Sequence, residues 1–178
     1  MAKVYIMSGL PFSGKSTLSK SLSKYLDIPR ISFDETWLEI EKERGSIPGS
    51  DAIEQWRYVC KVCEDKTKQY LENGTSVVYD NLGSSKKHRE EIKELASESK
   101  AESKIIYVDV SKDEVTKRRE KNLNTKERHQ VSDENFDTAL KQFEPPSEGE
   151  TYLAYNPNEE VSDWLDREFG NRSKLERE

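Results

Sequence analysis

The chain has 178 residues, of which 33% are hydrophobic and 36% are charged, and its formal net charge is -6. This length fits one compact domain, and the composition excludes a membrane protein because no apolar run approaches the length of a membrane span. The negative charge gives no overall attraction to phosphate polymers or anionic lipid, so a nucleotide would need a local site. No basic segment followed by an apolar one opens the chain, and we therefore expect a cytoplasmic location.

Short apolar runs alternate with longer helical patterns over the first part of the chain. The runs that predict buried strands are at residues 4–7, 30–33, 76–79 and 104–110. A helical pattern follows each run, and the side chains expected to cap or open helices are Asp51, Ser84 or Ser85, and Ser111. Strands that alternate with helices predict an α/β fold, with a parallel sheet flanked by helices on both faces.

The last third of the chain begins with a charged segment that is poor in apolar residues. We predict a solvated loop there, acting as a mobile lid at about residues 118–131. The elements expected after it are a helix, a short apolar segment and a last helix with Trp164 facing inward, at residues 132–143, 152–155 and 161–169. The prediction is thus one domain over residues 1–169, followed by a flexible tail over residues 170–178.

Two cysteines, Cys60 and Cys63, have the C-x-x-C spacing found in redox pairs and zinc sites. Zinc would need further ligands, and neither His88 nor His129 has a metal-type spacing to the pair. The cysteines fall inside a long helical pattern, in which small apolar residues three apart usually pack. We therefore expect a packing role and no metal or redox chemistry.

The strongest motif is a G-x-x-x-x-G-K-S sequence that starts at Gly9, directly after the first strand and before a helix. Gly9 and Gly14 permit a close backbone approach, so that N–H groups at the helix N-terminus can surround the β-phosphate of ATP. Lys15 would bridge the β- and γ-phosphates, and the Ser16 hydroxyl would bind Mg²⁺. Further ATP contacts are predicted at Pro11, Phe12, Ser13, Thr17 and, from the lid, Arg118.

Acidic residues follow the second and third strands, at the edge where ligands bind in open parallel sheets. We predict that Asp34 is the general base that takes a proton from an acceptor hydroxyl, the alternative being a cap of the next helix. Asp80 could hold Mg²⁺ or orient the acceptor, and Asn81 beside it offers a donor and an acceptor group. The alternative for Asp80 and Asn81 is a turn that ends the strand.

Arginines are the other candidate site residues. Arg89 could reach back to the acceptor side of the same edge, the alternative being a solvated helix face. In the lid, Arg118, Arg119 and Arg128 could neutralise charge on the transferred phosphoryl group while the lid excludes water. We expect one or two of the three to act, with Arg119 and Arg128 as the catalytic candidates.

Together these residues resemble the P-loop kinase-like ATPases, a group with the 5'-hydroxyl kinase domain of polynucleotide kinases, chloramphenicol phosphotransferase, zeta toxins and small bacterial kinases. The segments that carry the resemblance are residues 9–16, 31–35, 77–81 with Arg89, and 118–128. The resemblance implies a P-loop NTPase fold of the nucleoside-kinase type with a mobile lid. It also implies that Lys15 and Ser16 are the phosphate and magnesium residues, that Asp34 activates the acceptor, and that Asp80 is an acceptor-side or metal-side acid.

The sequence therefore predicts an ATP- and Mg²⁺-dependent kinase whose acceptor is a small-molecule hydroxyl or a 5'-hydroxyl oligonucleotide. The negative charge counts mildly against a polymer, because nucleic-acid binding normally needs a basic groove. The alternative is a non-catalytic or slowly hydrolysing ATP-binding switch that acts on a partner protein; a kinase implies no stable protein partner. A GTPase is less favoured because there is no N-K-x-D sequence, and a dehydrogenase because the loop is not G-x-G-x-x-G.

Overall fold

The computed structural model describes residues 1–81, 85–125 and 132–170. Its strands are Lys3–Ser8 (β1), Arg30–Ser32 (β2), Val77–Asp80 (β3), Glu102–Val108 (β4) and Tyr152–Tyr155 (β5). Its helices are Lys15–Leu26 (α1), Phe33–Arg44 (α2), Ala52–Glu72 (α3), Lys86–Glu98 (α4), Lys112–Thr125 (α5), Asp133–Gln142 (α6) and Val161–Phe169 (α7). The five strands form one parallel sheet in the order β2-β3-β1-β4-β5, which confirms the predicted α/β fold.

Side chains of the central strand β1 point alternately to two hydrophobic clusters. Val4 and Ile6 pack in one cluster with residues of α3 and α4, including Val59. Tyr5 and Met7 pack in the other with residues of α1 and α7. A strand covered on both faces has a nearly continuous apolar sequence, which is why residues 4–7 show no alternation with polar residues. The sheet is therefore a middle layer between helices.

The segment after Pro146 completes the sheet. Residues expected only to be apolar form β5, which pairs in parallel with β4 from Ile105 opposite Tyr152 to Val108 opposite Tyr155. The fully buried Trp164 of α7 donates a hydrogen bond from its Nε1 to the Ala154 carbonyl oxygen at 2.9 Å. Strand β5 thus forms the edge of the sheet opposite β2, and α7 packs against it through Trp164.

The first part of the predicted lid is helical, so the expected loop is wrong as far as residue 125. Helix α5 extends from Lys112 to Thr125 because Lys, Arg and Glu are good helix formers, although they suggest solvation. The i,i+4 pair of Glu114 and Arg118 supports the helix, and Val115 anchors it in the core. Residues 126–131, with Arg128, and residues 171–178 of the predicted tail lie outside the described residues.

Helix starts follow the predicted caps where the structure describes them. Asp51 accepts hydrogen bonds from the backbone N–H groups of Ile53 and Glu54, both at 2.9 Å. Ser85 caps α4 through the His88 N–H, whereas the alternative cap, Ser84, lies outside the described residues. Of the helices in the described ranges, none combines the length and apolar character needed to cross a membrane.

The two cysteines pack in the core, as predicted. Cys63 is fully buried in the cluster beneath α3 and α4, and Cys60 packs against the same cluster. Burial raises the pKa of both thiols, that of Cys60 to about 11. Since the thiolate is the form that attacks electrophiles and binds metals, these thiols are poorly suited to either role near neutral pH.

Candidate nucleotide and phosphate site

The G-x-x-x-x-G-K-S loop connects β1 to α1, and its glycines are needed for its shape. Gly9 has φ 150°, and a Cβ there would lie 3.0 Å from the Val108 carbonyl oxygen. Gly14 has φ 102° and is the N-terminal cap of α1. The first N–H groups of a helix have no partner within the helix, so the loop and the start of α1 form an anion-binding position.

Lys15 is folded onto the loop that it follows. Its ammonium donates hydrogen bonds to the carbonyl oxygens of Gly9 at 2.7 Å and Leu10 at 2.9 Å, and the residue is only 8% exposed. Burial lowers the pKa of Lys15 to about 8, while the carboxylates of Asp80 and Asp34 oppose this shift. A buried cation held by two neutral oxygens is placed to exchange them for phosphate oxygens.

The other loop residues provide polar groups that fit a phosphate and a magnesium ion. The buried Ser13 hydroxyl has no hydrogen-bond partner among the described residues, which is the arrangement expected of a group that waits for a ligand. Ser16 and Thr17 are exposed in the first turn of α1. The oxygen donors Ser16 and Asp80 suit Mg²⁺, which in nucleotide sites uses one or two carboxylates with phosphate oxygens.

Asp80 is the last residue of β3 and lies in a hydrogen-bond network that the sequence did not suggest. The residue is 7% exposed. Its Oδ2 accepts hydrogen bonds from Ser19 Oγ at 2.6 Å, Arg30 Nε at 2.9 Å and Arg30 Nη2 at 2.6 Å. The Ser19 hydroxyl also lies 3.1 Å from the carbonyl oxygen of Ser16, so Asp80 contacts a residue one helical turn after the predicted magnesium residue.

Asp34 is exposed in the first turn of α2, just beyond the carboxyl end of β2. The alternative, in which Asp34 caps this helix, is wrong because Ser32 is the cap and accepts a hydrogen bond from the Glu35 N–H at 3.4 Å. Strand β2 is one residue shorter than predicted, since Phe33 already begins the helix. The Asp34 carboxylate is close enough to raise the pKa of Lys15, against the effect of burial, and the residue is exposed.

Arg118 contacts the phosphate loop, whereas Arg119 contacts the next helix. The Arg118 guanidinium donates to the Ser13 carbonyl oxygen at 3.1 Å and is held by Glu114 through an ion pair of 2.8 Å. The Arg119 guanidinium pairs with Asp133 and lies 4.7 Å from the ring centroid of Phe136. The structure thus brings Arg118 to the nucleotide loop and places Arg119 between α5 and α6.

Phe12 joins the nucleotide loop to α6. It has φ 62°, which is uncommon for a residue with a side chain, and its ring contacts Phe136 edge-to-face with centroids 6.0 Å apart. Leu10 of the same loop is buried in the cluster that includes Val115 and Phe136. The loop conformation is therefore supported by apolar contacts with helices α5 and α6.

Arg89, the candidate acceptor-side arginine, lies inside the protein in an ion pair. It is fully buried, which excludes a solvated helix face. It forms a bidentate ion pair with Glu150, in which Nε donates to Oε1 at 2.9 Å and Nη2 donates to Oε2 at 2.7 Å. Its Nη1 also donates a hydrogen bond to the Glu144 carbonyl oxygen at 2.8 Å. Arg89 therefore fastens α4 to the segment before β5. Asn81, another candidate residue of the acceptor side, follows Asp80 directly and is half-buried.

Comparison with known proteins supports the same fold. The sequence model of the AAA domain family matches residues 4–146. No curated protein matches the chain. Among solved structures, a candidate kinase from Chloroflexus aurantiacus has 19% identity and a TM-score of 0.72, covering 99% of this chain and 96% of that one.

Two nucleotide complexes are also similar. Kti12 of Chaetomium thermophilum with ADP-AlF3 has 19% identity and a TM-score of 0.69, with 92% of this chain and 96% of that one covered. The Mycobacterium tuberculosis APS kinase CysC with AMPPNP and APS has 14% identity and a TM-score of 0.62, with coverage of 93% and 94%. At such identities the likeness is one of fold.

Proposed function

The chain belongs to the AAA domain family of P-loop, kinase-like proteins, and from this premise we propose that it is a kinase that transfers the γ-phosphate of ATP to a hydroxyl group. The observation that carries the proposal is the environment of Lys15. Its buried ammonium rests on two carbonyl oxygens at the start of a helix, and the Asp80 and Asp34 carboxylates lie near enough to affect its pKa. This arrangement supports a phosphate-binding cation and a candidate acceptor base at one edge of the sheet.

On the donor side, Lys15 would release its carbonyl partners and bind the β- and γ-phosphates. The backbone from Gly9 to Gly14 and the Ser13 hydroxyl would surround the β-phosphate. Ser16 and Asp80 are the proposed magnesium residues, and bound Mg²⁺ would neutralise charge on the phosphate oxygens. Pro11, Phe12, Thr17 and Arg118 complete the proposed ATP contacts.

On the acceptor side, we assign Asp34 as the general base. Its carboxylate takes the proton of the acceptor hydroxyl while the hydroxyl oxygen forms a bond to the γ-phosphorus, and the bond from phosphorus to the β,γ-bridging oxygen breaks to release ADP. Exposure of Asp34 supports this role, because a carboxylate already enclosed by cationic partners would be a weaker base. Asp80 and Asn81 would orient the acceptor from β3.

The lid arginines would stabilise the transferred phosphoryl group. Arg118 is the better supported of the two that the structure describes, because it already contacts the nucleotide loop at Ser13. Arg119 would have to leave Asp133 to reach the same charge. Arg128 remains a prediction from sequence. We do not include Arg89 in the proposed substrate site, since its guanidinium is engaged with Glu150 and the Glu144 carbonyl oxygen.

The acceptor is proposed to be a small-molecule hydroxyl, with a 5'-hydroxyl oligonucleotide as the second candidate. The similar APS kinase structure is a complex with AMPPNP and the small molecule APS. The net charge of -6 favours the small molecule, because strand binding draws on phosphate contacts from basic residues. A negatively charged surface can still bind an oligonucleotide end locally, so both classes belong in the test.

The test is transfer of labelled γ-phosphate from ATP to separate pools of nucleosides, sugars, antibiotics and 5'-hydroxyl oligonucleotides, for the wild-type protein and for Lys15→Ala. We expect transfer to one pool, lost in the variant. ATP binding without transfer to any pool, together with slow release of phosphate, would instead favour the switch that acts on a partner protein. Failure of the wild-type protein to bind ATP would contradict both functions.

A further inference from the structure

Arg30, a residue with no role in the mechanism above, contacts both the proposed magnesium residue Asp80 and Glu35, the neighbour of the proposed base Asp34. It is the first residue of the edge strand β2, and its side chain is only 9% exposed. Its guanidinium contacts Asp80 at the end of β3 with Nε and Nη2, and contacts Glu35 with Nη1 at 2.6 Å. Glu35 is the neighbour of the proposed base Asp34 in the first turn of α2.

The contacts of Asp80 are all on one side of its carboxylate. Both nitrogens of Arg30 and the hydroxyl of Ser19 bond to Oδ2. Within residues 1–81, 85–125 and 132–170, the structure gives Oδ1 no hydrogen bond. Three donors on one oxygen fix the rotation of the carboxylate, and the second oxygen stays available as an acceptor. Arg30 also supplies the buried charge that compensates the Asp80 carboxylate.

The arm to Glu35 is weaker than the arm to Asp80. The Glu35 side chain is 47% exposed and shares its carboxylate with Lys20 at 3.1 Å, so solvent screens this contact. The pair of Arg30 and Asp80 is enclosed, with side chains 9% and 6% exposed. The principal effect of Arg30 is therefore on Asp80. The contact of Arg30 with Glu35 keeps the first turn of α2 close to Asp80.

We propose that Arg30 is a positioning residue for phosphoryl transfer: it holds Asp80 through Oδ2 so that Oδ1 is presented to the magnesium shell, and it links Asp80 to the turn that carries Asp34. This inference rests on the proposed function. Residues that orient the ligands of a metal typically change metal affinity by about 10–100-fold when they are replaced. Loss of Arg30 should thus act on the magnesium dependence of nucleotide binding, and not on the binding of nucleotide alone.

The first experiment measures ADP affinity by calorimetry, with and without Mg²⁺. For the wild-type protein we expect Mg²⁺ to tighten ADP binding. In Arg30→Gln this tightening should fall by about tenfold or more, while the affinity without Mg²⁺ stays within about threefold because Lys15 and its loop are intact. The matched control is Lys24→Gln, which removes an exposed cation from α1 and should behave as wild type.

Two results would overturn the proposal. In the first, Mg²⁺ tightens ADP binding equally in Arg30→Gln and in wild type. In the second, Arg30→Gln loses the same ADP affinity with and without Mg²⁺, which indicates only a structural role. If Arg30→Gln does not fold, Arg30→Lys replaces it. Lysine keeps the charge but cannot reproduce the two hydrogen bonds that Nε and Nη2 of Arg30 donate to Asp80 Oδ2. In Arg30→Lys the tightening of ADP binding by Mg²⁺ should therefore also fall by more than about threefold.

A second experiment needs no nucleotide and separates failure of the proposal from failure of the proposed function. The unfolding midpoints of Arg30→Gln, Asp80→Asn and the double variant are compared with wild type. We expect the double variant to lose less than the sum of the single shifts, because either single change leaves a buried partner uncompensated. Additive shifts would contradict the positioning of Asp80 by Arg30, whether or not ADP binds. A wild-type protein that binds no ADP would contradict the proposed function, and with it the role toward magnesium, while coupled unfolding shifts would still support the positioning of Asp80 by Arg30.

Discussion

Replacement of Glu150 by Gln should destabilise the fold strongly at neutral pH. The Glu150 and Arg89 side chains are 1% and 0% exposed, and they share two hydrogen bonds of 2.9 Å and 2.7 Å. Removal of one partner of a buried ion pair leaves an uncompensated charge and typically costs about 3–5 kcal/mol. The variant keeps the size of the side chain, so this loss reports the charge and not a cavity.

The pKa of Glu150 gives a second route to the same magnitude. The hydrogen bonds from Arg89 lower the pKa of Glu150 from its ordinary value of 4.5 to about 2. That difference corresponds to about 3 kcal/mol of stability. Because the pKa is depressed in the folded protein, this stability is present above about pH 4.5 and is lost as the pH falls toward 2.

The assay is urea unfolding of wild type and Glu150→Gln at pH 7 and near pH 3, with Glu148→Gln as the control because Glu148 is exposed two residues away. We expect a deficit of about 3 kcal/mol for Glu150→Gln at pH 7. The deficit narrows near pH 3 because the Glu150 carboxyl group of the unfolded wild-type chain takes up a proton there, whereas that of the folded protein stays largely ionised. A variant within about 0.5 kcal/mol of wild type at pH 7, or a deficit independent of pH, would refute the reasoning.

The same pair separates a structural role of Arg89 from a substrate role. In Arg89→Met with Glu150→Leu, an apolar pair replaces the ion pair, and such replacements are often neutral or stabilising. We expect this double variant to recover most of the stability lost by Glu150→Gln and to keep phosphoryl transfer. Recovered stability with transfer abolished would return Arg89 to the substrate site.

Three further predictions concern the site and the cysteines. Lys15→Ala should weaken ATP binding by about tenfold or more in calorimetry, since it removes a buried ammonium from the phosphates, and unchanged affinity would exclude the nucleotide site. Arg118→Gln should lower ATP affinity more than Arg119→Gln does, because only Arg118 contacts the loop at Ser13; the opposite order would contradict the placement of the two arginines. Joint replacement of Cys60 and Cys63 by Ala should leave kcat within about threefold of wild type while lowering the unfolding midpoint. If this variant loses both bound zinc and activity, the packing role of the two cysteines is contradicted.

Local sequence patterns predicted what depends on neighbouring residues. The Gly9 to Ser16 motif placed the loop between strand and helix, and Asp51 and Ser85 cap helices as expected. The loop predicted from residue 118 was wrong as far as residue 125, because a charged sequence of helix-forming residues is compatible with either a helix or a solvated loop. Strand β5 was missed because a run of four residues, Tyr152 to Tyr155, is too short to show which partner it joins.

Contacts between residues far apart in the chain left no pattern to detect. Arg30 and Asp80 are 50 residues apart, and Arg89 and Glu150 are 61 residues apart. In a sequence with 36% charged residues, each of these side chains looks like one of many solvated charges. The one hint in the sequence was that Arg30 begins the short apolar run of residues 30–33, since an arginine at the start of a buried strand needs an anionic partner.

A comparison of Asp34→Asn with Asp113→Asn tests most directly whether Asp34 is the general base of a phosphoryl transfer. Both residues are exposed and second in their helices, so both changes remove a similar favourable interaction with a helix N-terminus. With the acceptor found by the screen, we expect Asp34→Asn to lower kcat by about 10²-fold or more at nearly unchanged ATP affinity. Asp113→Asn should resemble wild type. A kcat for Asp34→Asn within a few-fold of that for Asp113→Asn would contradict the assignment of Asp34 as the base.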